Sequence, residues 1–227
     1  MQPQYVQPQY MQPQYEPPAP ESRPMPEKKR GGCLRTLLEV VIVVVVAGLL
    51  AWGITTFLVQ PYEIPSGSME DTIEIGDRVL SEKVSYYLQD PQVGDIVTFQ
   101  AWEDPITEDI FTHPDDASES QRARLEEKVL IKRVIATAGQ TVTLQDGAVY
   151  VDGQPLNEPY TLGKPSYPLE DSSLSFPYTV PQGEIWVMGD NRTNSKDSRF
   201  FGSVPIDSVT GHAFVRYWPL DRLGTLK

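Results

Sequence analysis

The chain has 227 residues, a formal net charge of −12, 21 prolines and one cysteine, which is length for one or two domains. Beyond Val59 it carries 27 acidic against 14 basic side chains, a surface that disfavours nucleic acid and repels anionic headgroups. The lone Cys33 excludes an intrachain disulfide and leaves the redox compartment unread.

Residues 1–27 open with three Gln-Pro-Gln-Tyr repeats followed by Glu-Pro-Pro-Ala-Pro. Frequent proline removes amide donors and few aliphatic side chains are available to bury, so a disordered, partly polyproline-like tail is expected. A basic juxtamembrane segment, 28–39, follows with Lys28, Lys29, Arg30 and Arg35. From Val40 to Val59 no charged residue occurs in 20 positions, and a helix of that length is about 30 Å long, the thickness of a hydrocarbon core. The run is longer than the apolar region of a cleaved leader. With the cations on its N-terminal side, a single-pass anchor in the cytoplasmic membrane is expected, tail inside and residues 60–227 outside.

After the anchor come short alternating apolar runs, among them Gly94 to Phe99, Val129 to Ala136, Thr141 to Leu144, Glu184 to Met188 and Gly211 to Trp218. Asp146-Gly147 and Asp152-Gly153 supply turn signals between them. The fold class expected is mainly β: an antiparallel β-sheet domain preceded by one transmembrane helix and a disordered tail. Only Ala117 to Lys128 has the length and pattern of a short amphipathic helix. Glu103 to Glu127 holds nine acidic and two basic residues and reads as a solvated insertion. Asn157 to Pro181, rich in Pro, Ser and Tyr, reads as an irregular surface excursion.

Three stretches carry possible chemistry. In Glu63 to Met69 two serines flank Gly67 just beyond the apolar run, where Pro65 fixes φ and Gly67 permits a turn that exposes a hydroxyl. A nucleophilic serine needs an adjacent base. The histidines are His113, inside the acidic insertion, and His212, inside an apolar strand; neither has a recognisable carboxylate motif. A lysine serves if burial lowers its pKa from about 10.4 to roughly 7 to 8. Lys132 sits in the most apolar run of the domain, next to Arg133, and with alternating side chains one of the two cations must point inward or lie at an edge. The third stretch, Gly189 to Arg199, is dense in hydrogen-bonding side chains and reads either as an Asx-rich turn or as a clamp on a site.

Taken together, Pro65-Ser66-Gly67-Ser68-Met69, Gly94-Asp95-Ile96-Val97, Lys132-Arg133-Val134 and Gly189 to Arg199 resemble the ordered motifs of type I signal peptidases, in the single-anchor Gram-positive arrangement. The resemblance covers Tyr62 to Pro219. It implies Ser68 as nucleophile, Lys132 as general base, Ser66 joining the Ser68 N–H in an oxyanion hole, Ser195 orienting the lysine, and Asp197 with Arg199 as a supporting ion pair. No metal or cofactor is implied. Implied partners are exported preproteins with a small-x-small cleavage site, the lipid bilayer and the secretion translocon, without nucleic acid. The sequence departs from the family pattern at Asp71, where proline is usual, at Ala138-Gly139-Gln140, where Pro-Gly-Asp is usual, and at Thr193, where a second Asp is usual. Two alternatives stay open: a dedicated processing protease for pilus or surface proteins, and a non-catalytic anchored β binding module.

Overall fold

A computed structural model describes residues 32–170 and 172–226, apart from the side chains of residues 32–34 and 54–57. The repeat tail, Lys28 to Arg30 and the Cys33 side chain lie outside the described residues. Two units follow one another, residues 1–46 and 47–227. Helix α1, Gly32–Phe57, runs through the boundary. Its segment Arg35–Gly53 has a mean hydropathy of 2.4 and is, among the described residues, the one helix long and apolar enough to cross a membrane.

The second unit is built on strands β1 (Val59–Glu63), β2 (Arg78–Glu82), β3 (Ile96–Glu103), β4 (Ile110–Phe111), β5 (Glu126–Thr137), β6 (Thr141–Gln145), β7 (Ala148–Val151), β8 (Gln154–Pro155), β9 (Tyr178–Thr179), β10 (Glu184–Met188), β11 (Val204–Pro205), β12 (Val209–Trp218) and β13 (Gly224–Thr225). All the pairings are antiparallel. The larger sheet has the order β1-β2-β12-β3-β5-β10-β11, with β4 added to β3 and β13 to β12; the smaller is β8-β7-β6-β9. The two Asp-Gly signals act as anticipated. Asp146-Gly147 joins β6 to β7 with φ of 51° and 78°, and Asp152-Gly153 joins β7 to β8 with 51° and 75°. Two consecutive positive φ values match the twist of the flanking strands.

Strand β5 is the axis of the molecule. Val134 enters a core with Val97, Phe99, Ile185 and Val187 on one face, while Ile135 enters a second core with Val142, Trp186 and Met188 on the other. Both faces are therefore covered from Lys132 to Ala136, and apart from Lys132 and Arg133 the run from Val129 to Ala136 is apolar on both faces. A third cluster of Ile64, Met69, Ile73, Val79, Ile96 and Ala213 seats the segment after β1.

Residues 117–128 do not form the short helix their pattern suggests. Only Glu119–Arg122 (α2) is helical, started by a capping box between Ser118 and Gln121. From Glu126 onward the chain pairs with β3, Glu126 opposite Glu103 and Lys128 opposite Ala101. Ladder hydrogen bonds to a distant strand outweigh a weak local preference. The acidic segment folds back on the sheet as well: β4 pairs Phe111 with Trp102, and the buried Asp104 accepts from Arg124 at 2.6 Å.

Candidate active site

Ser68 lies in a one-turn 3-10 helix, Gly67–Met69. Met69 is fully buried in the third core cluster and pins the turn, while Ser68 keeps 9% of its surface. Its hydroxyl accepts from Lys132 Nζ at 2.7 Å, and the same amine donates to Ile131 O at 3.1 Å. Burial pulls the Lys132 amine down to about 8, against Asp197 and Asp190, whose negative charges raise it. An amine in that range is neutral often enough near pH 8 to take a proton from a bound hydroxyl.

The two adjacent cations of β5 both point inward: Lys132 is 3% and Arg133 1% exposed, while Lys128, nearer the start of the strand, is exposed. The two-sided cover of β5 makes this possible. Arg133 is compensated by a two-pronged contact with Asp190 at 2.8 and 2.7 Å, donates to Gly94 O at 2.9 Å and stacks 4.0 Å from the Tyr160 ring. Asp190 also accepts from Thr72 Oγ1 at 2.5 Å, four residues beyond Ser68.

The loop from Gly189 to Arg199 closes over this turn. Asp197 accepts from Arg199 Nε and Nη2, both at 2.9 Å, and from Gly189 N–H at 3.0 Å. Arg192 is held by Glu158 at 2.9 and 2.5 Å and by Ser166 Oγ at 2.7 Å. Asn191 reaches the serine turn directly: its N–H donates to Ser68 O at 3.1 Å and its Nδ2 to Gly67 O at 2.9 Å. Gly189 lies so close that a Cβ there would stand 2.4 Å from Ser68 O and 2.3 Å from Ser195 Oγ. Among the described residues no group of three or more His, Cys, Asp or Glu is placed to hold a metal ion.

A family model described as signal peptidase, peptidase S26, matches residues 37–218. The chain belongs to this signal peptidase family. Among similar proteins, a probable signal peptidase I-1 of Synechocystis is 43% identical, the match covering 83% of this chain and 86% of that one. A signal peptidase I of Leptolyngbya laminosa is 38% identical over 92% of this chain and 94% of its own. A signal peptidase I of Mycobacterium tuberculosis is 36% identical, covering 92% and 80%.

Within this signal peptidase framework the positions singled out from sequence fall as follows. Ser68 and Lys132 are hydrogen-bonded to each other, and Asp197 and Arg199 form a buried pair. Ser66 is exposed just ahead of the 3-10 turn, with no side-chain bond capping it. Ser195 Oγ is buried without a hydrogen-bond partner. The structure thus gives it no bond to Lys132. His113 faces Glu184 at 3.5 Å and His212 faces Glu82 at 3.7 Å; neither bonds Ser68.

The departures from the family pattern have local accounts. Asp71 has φ of 82°, which a proline ring cannot adopt, and it pairs with Lys164. Gln140 accepts from Thr137 N–H at 2.9 Å, closing the turn at Gly139, whose φ is 83°. Thr193 is exposed. Sequence reasoning gave no role to Asn191, Asp190, Glu158 or Tyr160. Asp190 and Asn191 lay inside a stretch marked for chemistry, Glu158 and Tyr160 inside one read as an irregular surface excursion, and what they contact was not visible in either.

Proposed function

We propose that this chain is a membrane-anchored serine endopeptidase that removes N-terminal signal peptides from exported preproteins, with Ser68 as nucleophile and Lys132 as general base. The 2.7 Å contact between Lys132 Nζ and Ser68 Oγ, in a site where burial lowers the amine to about 8, carries this reading. Neutral Lys132 takes the hydroxyl proton as Ser68 Oγ bonds to the scissile carbonyl carbon. The C–N bond then breaks and the proton passes to the leaving amine, leaving an ester on Ser68. Water, deprotonated by the same amine, adds to the ester and releases the signal peptide with a free carboxylate. The Ser68 N–H and the Ser66 hydroxyl stabilise the oxyanion, Ser195 orients the lysine during turnover, and the Asp197–Arg199 pair holds the loop.

The substrate lies extended along β5. Residues 126–132 of that strand pair with β3 on one side and have no ladder partner on the other among the described residues, an open edge suited to strand addition. A cavity of about 30 Å³ lined by Tyr62, Ile64, Pro65, Leu130 and Ile131 accepts a methyl-sized side chain. A wider one of about 260 Å³ beside Ser66 includes Trp102 and Ile110. This suits a site that selects small residues before the cut.

The cations on the N-terminal side of the apolar run support a tail in the cytoplasm and a β domain outside. The proposed divisions are a cytoplasmic tail at 1–27, a basic segment at 28–39, a membrane span at 40–59 and the peptidase domain at 60–227, with the bilayer and the secretion translocon as neighbours. The test is cleavage of a preprotein carrying an Ala-x-Ala site by the full chain, alongside Ser68→Ala and Lys132→Met. Both variants are expected to be inactive while folded; an active Lys132→Met would move the base elsewhere. Failure of the unaltered chain on a generic precursor, with cleavage of a pilus or surface-protein precursor, would favour a dedicated processing peptidase.

A further inference from the structure

The peptide unit that joins Gly67 to Ser68 carries the Gly67 carbonyl at one edge and the Ser68 N–H at the other. A planar trans peptide points these two groups in opposite directions. Whatever fixes the carbonyl therefore aims the N–H. Gly67 O accepts from Asn191 Nδ2 at 2.9 Å and from Glu70 N–H at 3.2 Å. The Asn191 amide also donates to Glu70 Oε2 at 2.9 Å, and two acceptors on one side define which end of the amide faces the turn. On the other side of Ser68, its carbonyl accepts the Asn191 N–H at 3.1 Å.

Asn191 thus grips the carbonyls on both sides of the nucleophile, from 124 residues beyond Gly67 along the chain. Turn and loop are closely packed here: a Cβ on Gly189 would stand 2.4 Å from Ser68 O. The Ser68 N–H itself is the second amide of the 3-10 turn, has no partner within it and is left for a ligand.

We infer that Asn191 is a positioning residue for the oxyanion hole: by holding the Gly67 carbonyl it aims the Ser68 N–H at the oxygen that becomes negative when Ser68 adds to the scissile carbonyl. This rests on the reading of Ser68 as nucleophile. It is separate from base activation, since neither hydrogen bond of Lys132 involves Asn191.

The test uses the full chain in detergent with Asn191→Ala and Asn191→Leu, the second keeping the size and branching but losing the donor without adding a charge. Cleavage kinetics are measured across pH. Binding is compared for a peptide aldehyde, which forms a tetrahedral adduct with the serine, and for the same peptide as a primary amide, which does not. The expected result is a fall of about 10- to 100-fold in kcat with KM near its original value, milder than the roughly 100- to 1000-fold loss on deleting a donor outright. Aldehyde affinity falls by the same factor, amide affinity holds, and the acid limb of the pH profile stays in place. An unchanged kcat, an equal weakening of the amide, or a shifted acid limb would overturn the inference. If Asn191→Ala fails to fold, Asn191→Leu carries the same comparison. A Ser68→Ala control that remains active would instead refute the assignment of the nucleophile.

Discussion

Replacing Lys132 with methionine removes the buried amine but keeps an unbranched chain of similar length. The amine's pKa falls from 10.5 to about 8 in the folded state, and at about 1.36 kcal/mol per unit this is about 3 kcal/mol. The folded value lies below the unfolded one, so the sign is unfavourable at neutral pH. Below pH 8 both states hold the proton and the folded state bears the whole penalty of a buried charge. Between pH 8 and 10.5 the folded state has released a proton that the unfolded chain still binds, and stability rises with pH. Above 10.5 the penalty is gone. Lys132→Met also loses the bonds to Ser68 and Ile131, each worth about 1 kcal/mol at every pH. The variant's stability relative to the parent should therefore be about 3 kcal/mol more favourable at pH 7 than at pH 10.5. Urea unfolding followed by tryptophan fluorescence, with Trp186 fully buried as a reporter, measures both differences. A difference that is the same at the two pH values would refute the reasoning and imply that the folded protein holds a charged lysine at no cost.

The same shift predicts a cleavage rate, as kcat/KM, that climbs about tenfold per pH unit up to an apparent pKa near 8 and then levels; a flat profile between pH 6 and 8 would count against a lysine base. Asp197→Asn leaves Arg199 buried at 1% exposure with its charge unpaired, and denaturation should show a loss of about 3 to 5 kcal/mol. Gly189→Ala drives a methyl group into Ser68 O, with an expected cost of about 1 to 3 kcal/mol in stability and a collapse of kcat in the folded fraction. Ser195→Ala removes a hydroxyl that is buried and unpaired, so unfolding should move by less than about 1 kcal/mol while kcat falls about tenfold; full activity would remove Ser195 from the mechanism.

Much of the fold could be read because its signals are local. The Asp-Gly pairs at 146 and 152 dictate two-residue hairpins through their positive φ values, and the uncharged run after Glu39 has the length of a membrane span. Lys132 stood out because it is one of two adjacent cations inside an otherwise apolar run. What stayed hidden is what depends on distant pairing. The stretch 117–128 looks like a helix until Glu103 and Glu126 are seen opposite one another. The apparent conflict between Lys132 and Arg133 dissolves only when β5 is covered on both faces and Asp190 is brought to the guanidinium. Asn191 reads as a turn former, and its contacts with Gly67 and Ser68 exist only in three dimensions.

Three guanidiniums, Arg133, Arg192 and Arg199, are each about 1% exposed around the loop and matched to Asp190, Glu158 and Asp197. Their partners come from different parts of the chain: Arg133 from β5, Glu158 from the excursion after β8, the rest from the loop itself. The loop is consequently not a portable cassette. Moving residues 189–199 into another scaffold would strand Arg192 and Asp190 without their counter-charges unless Glu158 and Arg133 travelled with them. Within the loop, Thr193, Asn194 and Lys196 are the exposed positions, Lys196 paired with Glu108 at the surface, and free variation is confined to them, whereas the buried ionic positions can change only in matched pairs.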